Sequence, residues 1–161
     1  MSVDGIHCRI NEPIDPIYSK NKKFYSHKFN QAALNYEIGV SVHYSKIMWM
    51  NGPFPAAMND VTIYQEHGLK AAIPEGKTVV ADCGYCGQAE VATPNRQDTA
   101  EVQTFKSCAR ARHKSLNSRI KNFKTLAERF RHRLEKHQAA FEAVCVICQY
   151  QMENGSPLFE A

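Results

Sequence analysis

The sequence predicts an α/β protein in which a mixed β-sheet packs against helices. Three features predict this class: an apolar segment at the start of the chain, a β-branched run over residues 77–82, and a C-terminal third with helical periodicity. Because 161 residues can bury one hydrophobic core, we expect a single domain over residues 1–161.

The N-terminal half of the chain predicts strands joined by loops. Four strands are expected, over residues 1–9, 29–34, 37–42 and 45–50. Asn35 and Tyr36 would form the turn of a hairpin, residues 11–23 would form a loop, and the prolines within 52–55 would break the chain. The run at 77–82 is then expected in the middle of the sheet.

Helices are predicted for most of the remaining chain. Asn59 caps the first, which extends to about residue 69 and has Asp60 in its first turn, where the helix dipole favours a carboxylate. After a polar connection over 93–104, one long helix is expected to face the sheet with Leu116, Ile120, Phe123, Ala127, Phe130 and Leu134. Its outward face would carry Lys114, Asn117, Lys121, Lys124 and Glu128. A last helix over about 137–153 ends at an Asn-Gly pair.

Positive charge is concentrated near the C-terminus. The formal net charge is only +4, but ten Lys or Arg residues between positions 110 and 136 face only Glu128 and Glu135. A stripe of this kind is typical of a nucleic-acid partner, although a solvated helix face has the same composition. No apolar run approaches the ~20 residues of a membrane span, so we expect a soluble, intracellular protein.

The six cysteines include two Cys-x-x-Cys pairs, Cys83 with Cys86 and Cys145 with Cys148. Two such pairs can build a tetrahedral zinc site. Cys145 and Cys148, however, fall on the apolar stripe of the last predicted helix, where small thiols pack in a core. We therefore expect reduced cysteines, with the two pairs far apart.

Two aspartates end short apolar runs, each with a glycine close behind. Asp4 precedes Gly5, and Asp82 follows a β-branched run and precedes Gly84 by two residues. Carboxylates from two strands can meet at a sheet edge and hold a divalent metal ion for phosphoryl transfer. Taken alone, Asp4 is explained as a turn residue and Asp60 as a helix-start charge. Asp82 is harder to dismiss, since a carboxylate at the end of a buried strand costs energy unless it is paired or used.

The ordered set of segments carries a family resemblance. These are Val-Asp-Gly at 3–5, residues 52–60, Ala-Asp-Cys-Gly-Tyr at 81–85, Thr-Pro at 93–94, Arg-x-Arg-His-Lys-x-x-Asn-x-x-Ile-Lys at 110–121, Phe-Arg-His at 130–132 and Phe-Glu-Ala-Val at 141–144. Together they resemble the catalytic domain of the DDE superfamily of transposase-related endonucleases, close to the PIF/Harbinger group. The resemblance implies an RNase H-like fold, DNA as substrate and a divalent metal cofactor, Mg²⁺ or Mn²⁺.

The resemblance also assigns the acids. It makes Asp4 and Asp82 the catalytic metal ligands, adds Asp60 as a supporting acidic position, and places the family's third acid, a glutamate, at Lys114. Protonated lysine has no lone pair to give a metal. We expect the Lys114 side chain to project towards Asp82 and to pair with it or with Asp4, which would leave metal binding and cleavage impaired.

The same resemblance sets the expectations for DNA. Arg110, Arg112, Lys121 and Lys124 would contact phosphates, weakly and in a salt-dependent way. Transposases of this kind carry an N-terminal DNA-binding region that is missing before Asp4, so the domain is expected to be N-terminally truncated and to work with a separate DNA-binding protein, in the nucleus if the source is eukaryotic. Two functions stay open: a metal-dependent DDE endonuclease domain impaired by Lys114, or an inactive remnant co-opted to bind DNA or protein.

Overall fold

A mixed sheet lies at the centre of the protein. The computed structural model describes residues 1–14 and 22–159. Within them the sheet has six strands: β1 (Ser2–Arg9), β2 (Tyr25–Ser26), β3 (Gln31–Val40), β4 (Ile47–Pro55), β5 (Val79–Val80) and β6 (Val91–Ala92). The helices are α1 (Asp60–Glu66), α2 (Leu69–Ala72), α3 (Ala100–Lys121), α4 (Lys124–Ala127) and α5 (His137–Glu153), with short 3₁₀ turns at Lys22–Phe24, Cys83–Tyr85 and Leu134–Lys136.

The strand order explains why the sheet is mixed. The path runs β2-β3-β1-β5-β6, and β4 also pairs with β3. Antiparallel pairs join β1, β2 and β4 to β3, whereas β1–β5 and β5–β6 are parallel. Helices flank this sheet, which confirms the predicted α/β architecture of RNase H-like type.

The strands β3 and β4 are longer than those the sequence predicted there. The expected hairpin around Asn35 and Tyr36 is wrong, because both residues lie inside β3, a strand that pairs with β1 on one side and with β4 on the other. The predicted break at 52–55 is also wrong. There β4 continues through Gly52 and Pro53, with a register shift against β3 between Asn35 and Glu37. β4 tolerates proline because its only described neighbour is β3, so one edge needs no donors.

The first helical segment is split by a glycine. Asn59 is the N-cap of α1, as predicted, and its side chain accepts a hydrogen bond from the Thr62 backbone N–H. α1 ends at Glu66, and Gly68, with φ of +102°, then starts the separate helix α2. That left-handed conformation is open to glycine and strained for other residues, so one continuous helix to residue 69 does not form.

The long helix also differs from its predicted bounds. α3 begins at Ala100, after Thr99 as N-cap, within the segment expected to be a connection. It ends at Lys121, not near Leu134, because the chain turns back to the sheet: the Phe130 N–H donates to the Arg9 carbonyl, and Phe130 bridges to Ile10. The last helix and its end at Asn154 are confirmed.

The pleat of the central strands separates two cores. Tyr36 and Ile38 of β3 belong to the larger core, which the sheet forms with α3 and α5. Glu37 lies between them and points to the other face, towards the smaller core. That core contains Val3, Tyr64, Leu69, Val79, Ala81, Tyr85 and Val91. Val3 of β1 and Val79 of β5 belong to the smaller core, so the pairing of these two strands lies against it.

The larger core predicts where truncation is most damaging. The ring of Phe141 is fully buried and stacks on Tyr36 at 3.7 Å between centroids. We expect Phe141→Ala to lower the free energy of unfolding by about 3–5 kcal/mol, measured by urea denaturation. The control is Tyr150→Ala on the same helix, since the Tyr150 side chain is 66% exposed and its loss should change stability by about 0.5 kcal/mol or less. Equal losses in the two variants would contradict this packing.

Candidate active site

Asp4 and Asp82 occupy equivalent positions relative to two neighbouring strands. β1 pairs with β5 in parallel, with Ser2 opposite Val80, and each aspartate lies two residues beyond its paired residue. Asp4 is therefore on β1, and Asp82 follows directly after the short strand β5 and Ala81. Asp82 also caps the 3₁₀ turn Cys83–Tyr85, because its Oδ1 accepts a hydrogen bond from the Gly84 N–H at 2.7 Å.

Asp4 is held from two sides. Its Oδ1 accepts from the Gly5 N–H at 2.9 Å, and its Oδ2 accepts from the side-chain amide of Asn117, on α3, at 3.1 Å. Burial and the negative charges of Asp82 and Asp60 raise the pKa of Asp4 to about 6. A buried acid whose ionisation neighbouring acids oppose further is a candidate functional group.

Asp60 approaches the site closely at Gly5 and Gly84, where the lack of a Cβ leaves room for its carboxylate. A Cβ on Gly5 would lie 2.6 Å from Asp60 Oδ1, and one on Gly84 would lie 3.2 Å from Asp60 Oδ2. Asn35 donates from Nδ2 to Asp60 Oδ1 at 3.1 Å. Burial raises the pKa of Asp60, and the charge of Asp82 raises it further. The three predicted acids therefore share one electrostatic environment.

A fourth carboxylate, which the sequence reasoning missed, lies beneath the site. Glu37 is 1% exposed and accepts hydrogen bonds from Trp49 Nε1 at 2.8 Å and from the Tyr85 hydroxyl at 3.3 Å. Burial raises the pKa of Glu37 to about 7, and Asp60 also contributes. Tyr85 belongs to the turn that Asp82 caps, so the Glu37–Tyr85 bond anchors that turn. The sequence signal that could have identified Glu37 is that it is the single charged residue of β3.

The cation beside these acids is not the predicted one. Among residues 1–14 and 22–159 the only ion pair within 4.0 Å joins Lys106 to Asp98. Lys114 is exposed, and the expected pair with Asp82 or Asp4 is not formed. Instead Lys28, in the turn between β2 and β3, lowers the pKa of both Asp4 and Asp60. No local pattern distinguishes Lys28 from the other basic residues of that region.

Two of the four predicted phosphate contacts are accessible. Arg110 lines a cleft of about 610 Å³ together with Cys83, the residue that follows Asp82. Arg96 lines the same cleft. Lys124 is exposed at the start of α4. A phosphodiester in the cleft would therefore lie beside the turn that Asp82 caps.

The other two predicted contacts have structural partners. Arg112 donates to the Val42 carbonyl at 2.6 Å and stacks on the Phe159 ring at 3.6 Å. Lys121 donates to the carbonyls of His7 and Leu126, so it points towards the sheet and not outward as predicted. Asn117 likewise faces Asp4 and not solvent. Asn117 and Lys121 each follow a buried residue of α3, Leu116 and Ile120, and lie at the border of its apolar stripe, where a turn of about 100° per residue decides whether a side chain faces the sheet.

The cysteines follow the packing interpretation. Cys145 and Cys148 are buried in the larger core, whereas Cys83 and Cys86 are exposed beside the acidic site. All the cysteines in the described part of the chain are free thiols. The two pairs therefore do not combine into a four-sulfur zinc centre.

The donors around Asp4 suit a hard divalent cation, although they are not fully assembled. Within the described ranges no group of three or more His, Cys, Asp or Glu residues is placed to hold a metal ion. Asp4 lies within electrostatic reach of Asp82 and accepts a hydrogen bond from Asn117, whose Oδ1 is buried and has no hydrogen-bond partner among the described residues. Carboxylate and amide oxygens are the ligand types that Mg²⁺ and Mn²⁺ take.

Comparison with known proteins gives one match. Residues 3–149 match the family model described as DDE superfamily endonuclease. No curated protein and no solved structure matches the chain. None of the helices in the described ranges is long and apolar enough to cross a membrane.

The approach of Asp60 to Gly5 gives a first prediction for the site. Gly5→Ala should lower the free energy of unfolding by about 1–3 kcal/mol, because the new methyl group would meet Asp60 Oδ1 in a packed strand. In an Asp60→Ala background the same substitution should cost less, which a double-mutant cycle measures. Additive losses would show that Asp60 does not occupy the space above Gly5.

The buried Glu37 gives a second prediction, for pH dependence. Its pKa rises from 4.5 to about 7 on folding, so the folded state holds the proton more tightly. The stability that protonated Glu37 provides is complete below pH 4.5 and is lost as pH rises through 7. Glu37→Gln removes this loss, and the variant should gain roughly 2–3 kcal/mol relative to the native chain between pH 5 and 8. The measurement is urea denaturation at each pH.

The control for this pH series is Glu128→Gln. Glu128 is exposed, so it tests the loss of one carboxylate without the buried network. The buried histidines are present in both chains and cancel in the difference. If Glu37→Gln and the native chain keep a constant difference from pH 5 to 8, Glu37 is not the titrating group.

Proposed function

Since the chain belongs to the DDE superfamily of endonucleases, we propose that its acidic site performs phosphoryl transfer on DNA with a divalent metal ion, at a rate that Lys114 lowers. The observation that carries the proposal is the parallel β1–β5 register, which sets Asp4 and Asp82 level and within electrostatic reach of each other. We also propose that residues 1–161 act as one catalytic domain and that it is close to the PIF/Harbinger group.

Asp4 and Asp82 are the proposed metal ligands, with Asp60 in support. A bound Mg²⁺ or Mn²⁺ supplies charge stabilisation and an activated oxygen nucleophile at neutral pH. The protein's own part is to orient the carboxylates: Gly5 and Asn117 fix the two oxygens of Asp4, and the Gly84 N–H fixes Asp82. Because the pKa of Asp4 is about 6, metal-dependent activity should fall as pH drops through that value.

Lys114 impairs the site because it supplies no ligand for the metal ion. Its ammonium has no lone pair for a metal, and the side chain makes no ion pair with Asp4 or Asp82. The substitution therefore removes a ligand without filling the cation site. An exposed charge is screened by water and salt, so the missing oxygen weakens binding more than the added positive charge does.

The proposed DNA contacts lie along α3 and the adjoining turn. Arg110 and Arg96 line the cleft beside Cys83, and Lys124 is exposed further along the chain. These cations would contact phosphates without reading sequence, so binding should weaken steeply with salt. We propose that recognition of a particular DNA site comes from a separate DNA-binding protein.

A binding module without cleavage is the second candidate function. It is favoured by the lack of a three-residue metal-binding group of carboxylates, histidines or cysteines within the described ranges, together with Lys114 at the third acid position. Such a module would keep the basic residues and lose turnover. The two candidates differ in whether a carboxylate at position 114 restores cleavage.

Plasmid nicking with Mg²⁺ or Mn²⁺ tests the proposal. Lys114→Glu should nick supercoiled plasmid at least about tenfold faster than the native chain, since even outer-shell partners of a metal change affinity or activity by about 10–100-fold. Lys114→Gln is the matched control, because it removes the cation without adding a carboxylate and should stay near the native rate. Adding Asp82→Asn to Lys114→Glu should return cleavage to background.

Each outcome of that experiment separates the candidates. A native rate equal to that of Lys114→Glu would show that Lys114 does not impair the site. No cleavage by either chain, with DNA binding retained, would favour the binding module. A Lys114→Gln rate equal to that of Lys114→Glu would mean that charge, and not a ligand, limits the native chain.

A further inference from the structure

A row of three side chains on α3 contacts three successive points along β1. His113, Asn117 and Lys121 are spaced by four and lie on one helix face. Nδ1 of His113 lies 3.2 Å from the Ser2 hydroxyl, Asn117 donates to Asp4 at 3.1 Å, and Lys121 donates to the His7 carbonyl. The contacts on either side of Asn117 fix the register of the helix on the strand, so its amide is aimed at Asp4 by packing at both ends.

Only one of the two polar atoms of the Asn117 side-chain amide has a hydrogen-bond partner among the described residues. Its Nδ2 serves Asp4 Oδ2, while its Oδ1 is buried without a partner among the described residues. An unsatisfied buried carbonyl oxygen costs about 1–3 kcal/mol, so such an atom in a polar site calls for a ligand. Rotation about the last side-chain torsion exchanges Oδ1 and Nδ2, and the oxygen can therefore also be presented on the Asp4 side.

We infer that Asn117 supplies the helix-borne oxygen ligand that Lys114 does not, so that Asp4, Asp82 and Asn117 together bind the divalent cation. The inference rests on the proposed metal-dependent function. An amide oxygen is an accepted ligand of hard divalent cations, but it carries no charge and binds more weakly than a carboxylate. Residual metal binding by the native chain therefore depends on Asn117.

The neighbouring groups do not offer an oxygen ligand from the helix that carries Lys114. Both oxygens of Glu37 are engaged, with Trp49 and Tyr85, in the buried network below the site. Asp60 supports the site from the start of α1, where Asn35 holds its Oδ1. Asn117 alone among these residues comes from α3, the helix that carries Lys114.

Calorimetric titration of the full chain with Mn²⁺ tests the inference without relying on activity. Asn117→Leu should weaken Mn²⁺ binding at least about tenfold, and Asn117→Asp should strengthen it, because the variant replaces a neutral ligand by a charged one. Asn122→Leu, which alters an exposed asparagine just after α3, is the matched control and should bind as the native chain does. In a Lys114→Glu background, Asn117→Leu should cost less than in the native chain.

Asn117→Asp also separates a ligand from a positioning residue. If Asn117 only donates a hydrogen bond to Asp4, aspartate there repels Asp4 and weakens Mn²⁺ binding. If it is a ligand, the same change tightens binding. Thermal denaturation of each variant checks that the chain is folded, and Asn117→Asp gives an independent answer if Asn117→Leu does not fold.

The controls keep this inference distinct from the proposed function. Native-like Mn²⁺ binding by Asn117→Leu would overturn the role of Asn117, while loss of binding in Asp82→Asn would leave the proposed function standing. Mn²⁺ binding by Lys114→Glu but none by the native chain would also overturn the role of Asn117 as a ligand. If Asp82→Asn binds Mn²⁺ as the native chain does, the proposed function itself fails, whatever Asn117 does.

Discussion

The parallel pairing of β1 with β5 is the constraint on which the site depends. The pairing is short, with one paired position at Ser2 and Val80, yet it gives Asp4 and Asp82 equivalent positions, each two residues beyond the paired residue. Side chains alternate along a strand, so a slip of one residue would turn one acid to the opposite face. The smaller core, which includes Val3 and Val79, packs around this pairing and holds the register.

Gathering acids at this point works against stability. The pKa values of Asp4, Asp60 and Glu37 are all raised, chiefly by burial and also by neighbouring carboxylates, so each acid is harder to ionise in the fold than in water. A fold that keeps such a cluster is less stable at high pH than one without it, and a bound cation offsets the cost. Lys28 lowers the pKa of Asp4 and Asp60, but its side chain is exposed, so water and salt screen its charge.

Sequence reasoning succeeded where the signal is local and failed where it is not. The strand of Asp4, the cap at Asn59 and the last helix follow from short patterns, and the structure confirms them. Glu37 was missed because its partners Trp49 and Tyr85 come from other elements.

Asn117 and Asp4 are 113 positions apart, and no periodicity reports a contact at that range. Of the apolar stripe predicted for the long helix, Leu116 and Ile120 lie on α3 and are buried as expected. Its borders were wrong, because Asn117 and Lys121 use their polar ends against backbone and carboxylate groups of β1 and still face inward. The contacts that seat α3 on β1 involve His113, Asn117 and Lys121, and Lys114, exposed between them, contributes to none of these contacts. The position of α3 on the sheet therefore does not depend on the side chain at position 114.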